Sequence, residues 1–136
     1  MRIGFYPGCS LNGTSREYNE SVKAIGKALG IDWVELKDWN CCGATAAHSM
    51  NKELSLALPT RILALAEKQD FQEIVVPCAS CYNRLSVAQY ELENNEKLKD
   101  DVLTVVGLPY LGTVKVLNVC LLYTSPSPRD RQKYRM

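Results

Sequence analysis

The chain has 136 residues, one domain's worth of polymer, and 46 % of them are hydrophobic, which excludes a chain too polar to fold. Its net charge of +1 divides unevenly, with +3 on residues 120–136 and −2 on residues 1–119. No basic stripe crosses residues 1–119, which leaves nucleic-acid binding without support, and no apolar run reaches the ~20 residues of a membrane span.

"MRIGFYPGC" meets proline and glycine too early for the core of a signal peptide, so a cytoplasmic setting is expected. In a reducing compartment, six cysteines point to metal or redox chemistry before a disulfide framework. Residues 2–6, "RIGFY", read as a first strand closed by a tight turn at Pro7-Gly8-Cys9. Thr14-x-x-Glu17 is a capping box for a helix carrying Tyr18, Val22, Ile25 and Leu29 on one face, with Gly30 as its C′ residue. "IDWVEL" (31–36) is a second strand. From Ala44 to Lys68 the composition is helical, with Leu54, Leu58, Ile62 and Leu65 on one face and a kink or split expected at Pro59. "EIVVPC" (73–78) is a third strand, apolar as if buried on both faces. Cys81, Leu85, Ala88 and Leu92 then mark a helix with Cys81 in its first turn. "ELENNEKLKDD" (91–101) reads as an exposed helix end and loop, and "TVKVLNV" (113–119) as a fourth strand. Strand and helix alternate throughout. The expected fold is α/β: an open, mostly parallel sheet with helices on both faces, a Rossmann-like three-layer arrangement in a single truncated domain over residues 1–119. Residues 120–136, "CLLYTSPSPRDRQKYRM", switch to Ser, Pro and Arg without hydrophobic period. They resemble translated sequencing-adapter read-through, so Cys120 and the residues after it are expected to be a non-native disordered tail.

Each of the five other cysteines falls just after an expected strand: Cys9 after the first, Cys41 and Cys42 after the second, Cys78 and Cys81 after the third. In an open parallel sheet the carboxyl ends of the strands share one edge, where ligands bind. Cys41 and Cys42 have Cα atoms ~3.8 Å apart, too close for a relaxed disulfide, which wants ~4.4–6.8 Å. Thiolates select zinc, Cu(I) or iron–sulfur clusters. A structural zinc or an ordinary cubane takes four such ligands, leaving one sulfur to bridge, to stay free, or to lie nearby. Helix starts beside Cys42 and Cys81 favour thiolates, and Gly8 and Gly43 allow close approach to a bulky inorganic core.

The spacing of Cys9, 31 residues, Cys41-Cys42-Gly43, and Cys78-x-x-Cys81 resembles the cysteine-rich CCG domain. "FYPGCSL", "DWNCCGA" and "VPCASCYNRL" are most similar to the first domain of the B subunit of heterodisulfide reductase. The resemblance implies that Cys9, Cys41, Cys42, Cys78 and Cys81 bind a noncubane [4Fe–4S] cluster in an oxidoreductase of the methanogenesis type. It further implies a disulfide substrate of the CoB–CoM kind, an iron–sulfur electron-donor subunit as partner, and a second CCG domain, without which this one is expected to be inactive. Related CCG domains serve succinate, fumarate and hydroxy-acid enzymes, so an electron-transfer subunit of such an enzyme is the alternative. A zinc-stabilised interaction module is the reading from a different class.

Other residues carry weaker signals. His48, the single histidine, is read as an ordinary helix residue because five thiolates already suffice. Trp33 and Trp39 flank the CCG turn, where core packing and shielding of the site are compatible roles. Lys37, Lys52 and Arg84 are read as solvated surface.

Overall fold

The computed structural model describes residues 2–44 and 47–119, so the segment 120–136 and the expectation of a foreign tail lie outside the described residues. Four apolar runs pair in parallel: β1 (Arg2–Phe5), β2 (Asp32–Glu35), β3 (Glu73–Val75) and β4 (Lys115–Leu117), in the order β2-β1-β3-β4. In register, Gly4 faces Val34 on one side and Ile74 on the other, and Ile74 faces Val116. Pairing continues past the strand ends through Leu36 N–H to Phe5 O, Tyr6 N–H to Val75 O and Val76 N–H to Leu117 O. The parallel α/β sheet expected from the alternation is therefore the fold. Its regular strands are shorter than the apolar runs that announced them.

Strand side chains alternate between two faces. Ile3, Phe5, Val75 and Leu117 pack on one side with Leu11 and Val22, from α1 (Gly8–Asn12) and α2 (Arg16–Ala28). Tyr6, Ile74, Val76 and Val116 pack on the other with α4 (Lys52–Lys68), α5 (Ala79–Asn94) and α6 (Glu96–Val106). β3 is buried on both faces, as its uninterrupted apolar run requires. Every member of the α5 stripe (Cys81, Leu85, Ala88, Leu92) is buried.

Several local expectations are corrected. The turn at Pro7-Gly8-Cys9 opens directly into the short helix α1. Thr14 does not cap α2: Ser15 is the N-cap, and its side chain makes no capping bond. In the α2 stripe only Val22 is buried, while Tyr18, Ile25 and Leu29 stay partly exposed. Gly30 does close α2 (φ +72°), with Ile31 N–H to Gly26 O and Gly30 N–H to Lys27 O, the paired bonds of a Schellman motif. The helical stretch after Ala44 breaks at Asn51, not at Pro59. Asn51 accepts from the N–H groups of Glu53 and Leu54, starting α4 after the short α3 (Ala47–Met50), and α4 runs through Pro59 unbroken. The charged stretch near residue 96 is the helix α6, capped by Asn95 accepting from Leu98 N–H.

Gly26 sits where α2 crosses Trp33, whose indole N–H donates to Val22 O at 3.2 Å. A Cβ at Gly26 would collide with that indole. Gly26→Ala should lower stability to urea by about 1–3 kcal/mol from overpacking, although alanine is the better helix former. A neutral or stabilising result would contradict this packing.

Candidate metal centre

Three adjacent strands deliver the cysteines to one edge. β1 ends at Phe5, and Tyr6-Pro7-Gly8 carries Cys9 into α1. Gly8 has φ +75°, and a Cβ there would stand 3.0 Å from Cys81 Sγ. β2 hands over to the turn 36–43, which presents Cys41 and Cys42. Gly43, at φ +77°, lets that turn close on α4, since a Cβ would lie 2.7 Å from Leu58 Cδ1 and 2.9 Å from Ala47 Cβ. β3 runs through Val76 and Pro77 to Cys78, the N-cap of α5, which puts Cys81 in the first helical turn as expected.

All five cysteines are free thiols, carried by the turns that follow three adjacent strands. Cys42 and Cys81, both buried, share an S–H···S bond of 3.3 Å. The half-buried Cys78 stands near enough to Cys81, and Cys9 near enough to Cys41, to influence their titration. Gly43 N–H donates to Cys41 Sγ at 3.4 Å. The thiols thus run from buried Cys81 and Cys42 out to exposed Cys41 and Cys9, which open the site to solvent. Among the described residues, no three His, Cys, Asp or Glu side chains are disposed to hold a single metal ion.

The thiols perturb one another. The hydrogen bond from Cys81 lowers Cys42 to about 6 against the opposing effect of burial, helped by the Ala44 N–H. The same bond, with burial, keeps the proton on Cys81, far above the ordinary thiol range. The Gly43 N–H pulls Cys41 down, but burial and the neighbouring Cys9 and Cys42 together leave it raised. Tyr6 is held protonated first by burial, then by Cys81, Cys42, Cys41 and Cys9. Its hydroxyl donates to Asn40 O at 2.8 Å, and its ring meets Trp39 edge-on at 5.4 Å.

Trp39 therefore borders the site, whereas Trp33 packs with Phe5 on the opposite face of the sheet. His48 lies on α3, and its side chain is outside the described residues. Lys52 and Arg84 line a cleft of about 410 Å³ beside α3, α4 and α5. Tyr6, Asn40, Arg61 and Gln69 escaped the sequence reading, although all four hold the site's walls. Tyr6 and Asn40 directly precede the Pro7-Gly8-Cys9 turn and the vicinal pair, which was the available signal. Arg61 and Gln69 gave none, because they reach the turn only through the fold.

The family profile described as the cysteine-rich domain, CCG, matches residues 3–86, and the chain belongs to that family. It is 33 % identical over 118 residues to the 8-methylmenaquinol:fumarate reductase membrane anchor subunit of Wolinella succinogenes, covering 86 % of this chain and 41 % of that protein. It is 27 % identical to the B subunit of the ferredoxin/F420H2-dependent CoB–CoM heterodisulfide reductase of Methanosarcina acetivorans, covering 98 % of this chain and 46 % of that protein. An uncharacterized iron–sulfur protein of Methanococcus maripaludis is also 27 % identical, over 93 % of this chain and 25 % of its own length. The chain thus spans less than half the length of these curated relatives. A crystal structure of a hypothetical protein from Helicobacter pylori shares the fold, with a TM-score of 0.73 at 16 % identity, over 87 % of this chain and 24 % of that one. Among the described residues, no helix is long and apolar enough to cross a membrane.

The thiol shifts fix a pH dependence for the metal-free protein. Cys42 titrates below the ordinary 9.0 when folded, so its contribution is complete above pH 9 and is lost as pH falls through about 6. Cys81 and Cys41 titrate above 9.0 when folded, so their contribution is complete below pH 9 and is lost as pH rises beyond it. Under reducing conditions, the urea midpoint should rise from pH 6 to pH 9 and fall above. Cys42→Ser should remove the rising limb. A flat profile in the wild type would contradict the shared proton.

Proposed function

We propose that this chain is an iron–sulfur oxidoreductase domain in which Cys9, Cys41, Cys42, Cys78 and Cys81 hold a noncubane [4Fe–4S] cluster. The carrying observation is that three adjacent strand ends lead into the turns bearing all five thiols, with Cys42 Sγ and Cys81 Sγ 3.3 Å apart. The residues fit such a group. Five thiols exceed the four ligands that one structural zinc takes. Gly8 keeps the wall beside Cys81 free of a side chain, and Cys78 and Cys81 lie at the N-terminus of α5, where the helix dipole favours anionic sulfur. One sulfur beyond the four of a cubane allows a bridging ligand.

When bound, the cluster would supply one-electron redox chemistry, while the protein binds and tunes it. Buried Cys42 and Cys81 and half-buried Cys78 would hold it on the protein side, and exposed Cys9 and Cys41 would hold it on the side reached from solvent. Buried Tyr6 and half-buried Trp39 keep water from the back wall. The disulfide-reducing reading draws support from similarity to the heterodisulfide reductase B subunit. In it, a disulfide substrate would be reduced between this site and that of a second CCG domain, with electrons delivered by an iron–sulfur subunit. On this reading residues 1–119 form the first of two such domains and are inactive alone. The 33 % identity to a fumarate reductase subunit favours a second reading, an electron-transfer subunit of a fumarate- or hydroxy-acid-linked enzyme. Both use the same five ligands.

Anaerobic reconstitution with iron and sulfide should load about four irons per chain with a broad, reducible visible band. A colourless protein retaining one zinc would instead favour the interaction module. Cys42→Ser should lose more than half of the iron, while the metal-free fold loses less than about 1.5 kcal/mol, the scale of one hydrogen bond.

A further inference from the structure

Beyond Leu36 the second strand has no ladder partner, yet the turn after it is not left to itself. Gln69 clasps Lys37 from both sides, its Oε1 accepting from Lys37 N–H and its Nε2 donating to Lys37 O, each at 3.0 Å. Asp38, at φ +60°, is held by Arg61, whose Nη1 donates to Asp38 O at 2.9 Å and Nη2 to Asp38 Oδ2 at 2.8 Å. The same Nη1 reaches Asn40 Oδ1 at 3.0 Å. Asn40 Nδ2 donates to Leu58 O at 3.1 Å and to Cys41 O at 2.8 Å, and Asn40 O accepts from the Tyr6 hydroxyl. Every polar group of the Asn40 side chain is thus used on the residue that precedes the vicinal cysteines.

We propose that Asn40, locked by Arg61, is the positioning residue of the vicinal cysteine turn, setting Cys42 Sγ beside Cys81 Sγ before any metal arrives. The inference rests on the iron–sulfur reading for its consequence, though not for its geometry. Leu58, Arg61 and Gln69 fall at i, i+3 and i+11 along α4 and its C-cap, so one face of one helix grips the turn. Fixing each backbone residue costs ~1–2 kcal/mol of entropy, and settling that cost in advance raises the affinity of a site for its ligand. Asparagine suits the position because it offers an acceptor to Arg61 and donors to two carbonyls at once. Aspartate would turn a carboxylate on those carbonyls, and alanine would leave all three groups without it. Lysine at position 61 keeps the charge yet lacks the fork that spans Asp38 and Asn40.

The test uses the full chain, metal-free and reconstituted, as wild type, Asn40→Ala, Asn40→Asp and Arg61→Lys. In the metal-free wild type, at a pH above the ordinary thiol value of 9.0 so that access and not ionisation sets the Cys42 rate, iodoacetamide should label exposed Cys41 quickly and buried Cys42 slowly, followed by mass spectrometry. In Asn40→Ala, Cys42 labelling should rise about tenfold, roughly the worth of one buried hydrogen bond. Asn40→Asp should free Cys42 at least as much. Cys81 should stay protected, circular dichroism should remain that of the wild type, and the melting temperature should fall by no more than about 8 °C, the scale of one such hydrogen bond. Iron uptake should fall below half. Arg61→Lys should shift Cys42 labelling in the same direction by less, and carries the test if Asn40→Ala fails to fold. Unchanged Cys42 labelling and iron uptake in the variants would overturn the proposal. So would Cys42 and Cys81 becoming reactive together with a larger fall in melting temperature, which is a purely structural role. A wild type that binds no iron, with Cys42 still freed in the variants, would sink the iron–sulfur reading and leave the positioning intact.

Discussion

In a parallel sheet every strand points the same way, and so each one passes its chain to the same edge. Here β1 lies between β2 and β3, and all three end in cysteine-bearing turns. Neighbouring strands stand ~4.8 Å apart, so three consecutive strand ends span roughly 10 Å, the width of a small inorganic body with its ligands. Cys42 and Cys81, 39 positions apart in sequence, meet because of this one geometric fact. The helices, the glycines and the polar clamp refine a convergence that the strand direction makes unavoidable.

The edge must also reconcile burial with charge. Thiols tolerate apolar surroundings, and Cys42 and Cys81 belong to the larger core cluster with Tyr6, Leu56 and Leu85. Thiolates do not, unless donors reach them. Gly43 supplies one N–H to Cys41, Ala44 supplies another to Cys42, and Cys81 shares its proton with Cys42. The core thus grades into the site without an interface: its last layer is sulfur. At the outer rim Cys9 and Cys41 are exposed to solvent.

Much of this was legible in the sequence because strand direction and cysteine placement are local signals. Each apolar run marks a strand and each strand an end, and Cys9, Cys41, Cys42, Cys78 and Cys81 all come within seven residues of those ends. The α5 stripe was legible for the same reason, since its four buried members recur at helical spacing. What escaped was set by tertiary contact or by competing caps. Pro59 looked like the break in the long helical stretch, but Asn51 offered two side-chain bonds to a new N-terminus, and the helix broke there. The charged run around Glu96 looked like loop because its polarity hid the amphipathic pattern that buries Val102. Tyr18, Ile25 and Leu29 promised a core face, but α2 lies over the sheet beside β2, and only Val22 is fully covered. Arg61 and Gln69 act on residues 23 and 32 positions earlier, beyond the reach of any local pattern.

Crystals of the anaerobically reconstituted protein, with anomalous diffraction at the iron edge, test the convergence most directly. One multi-iron centre bonded by the sulfurs of Cys9, Cys41, Cys42, Cys78 and Cys81 is the result expected. Iron held by four of them with Cys9 standing apart, or the five sulfurs divided between separate sites, would contradict it.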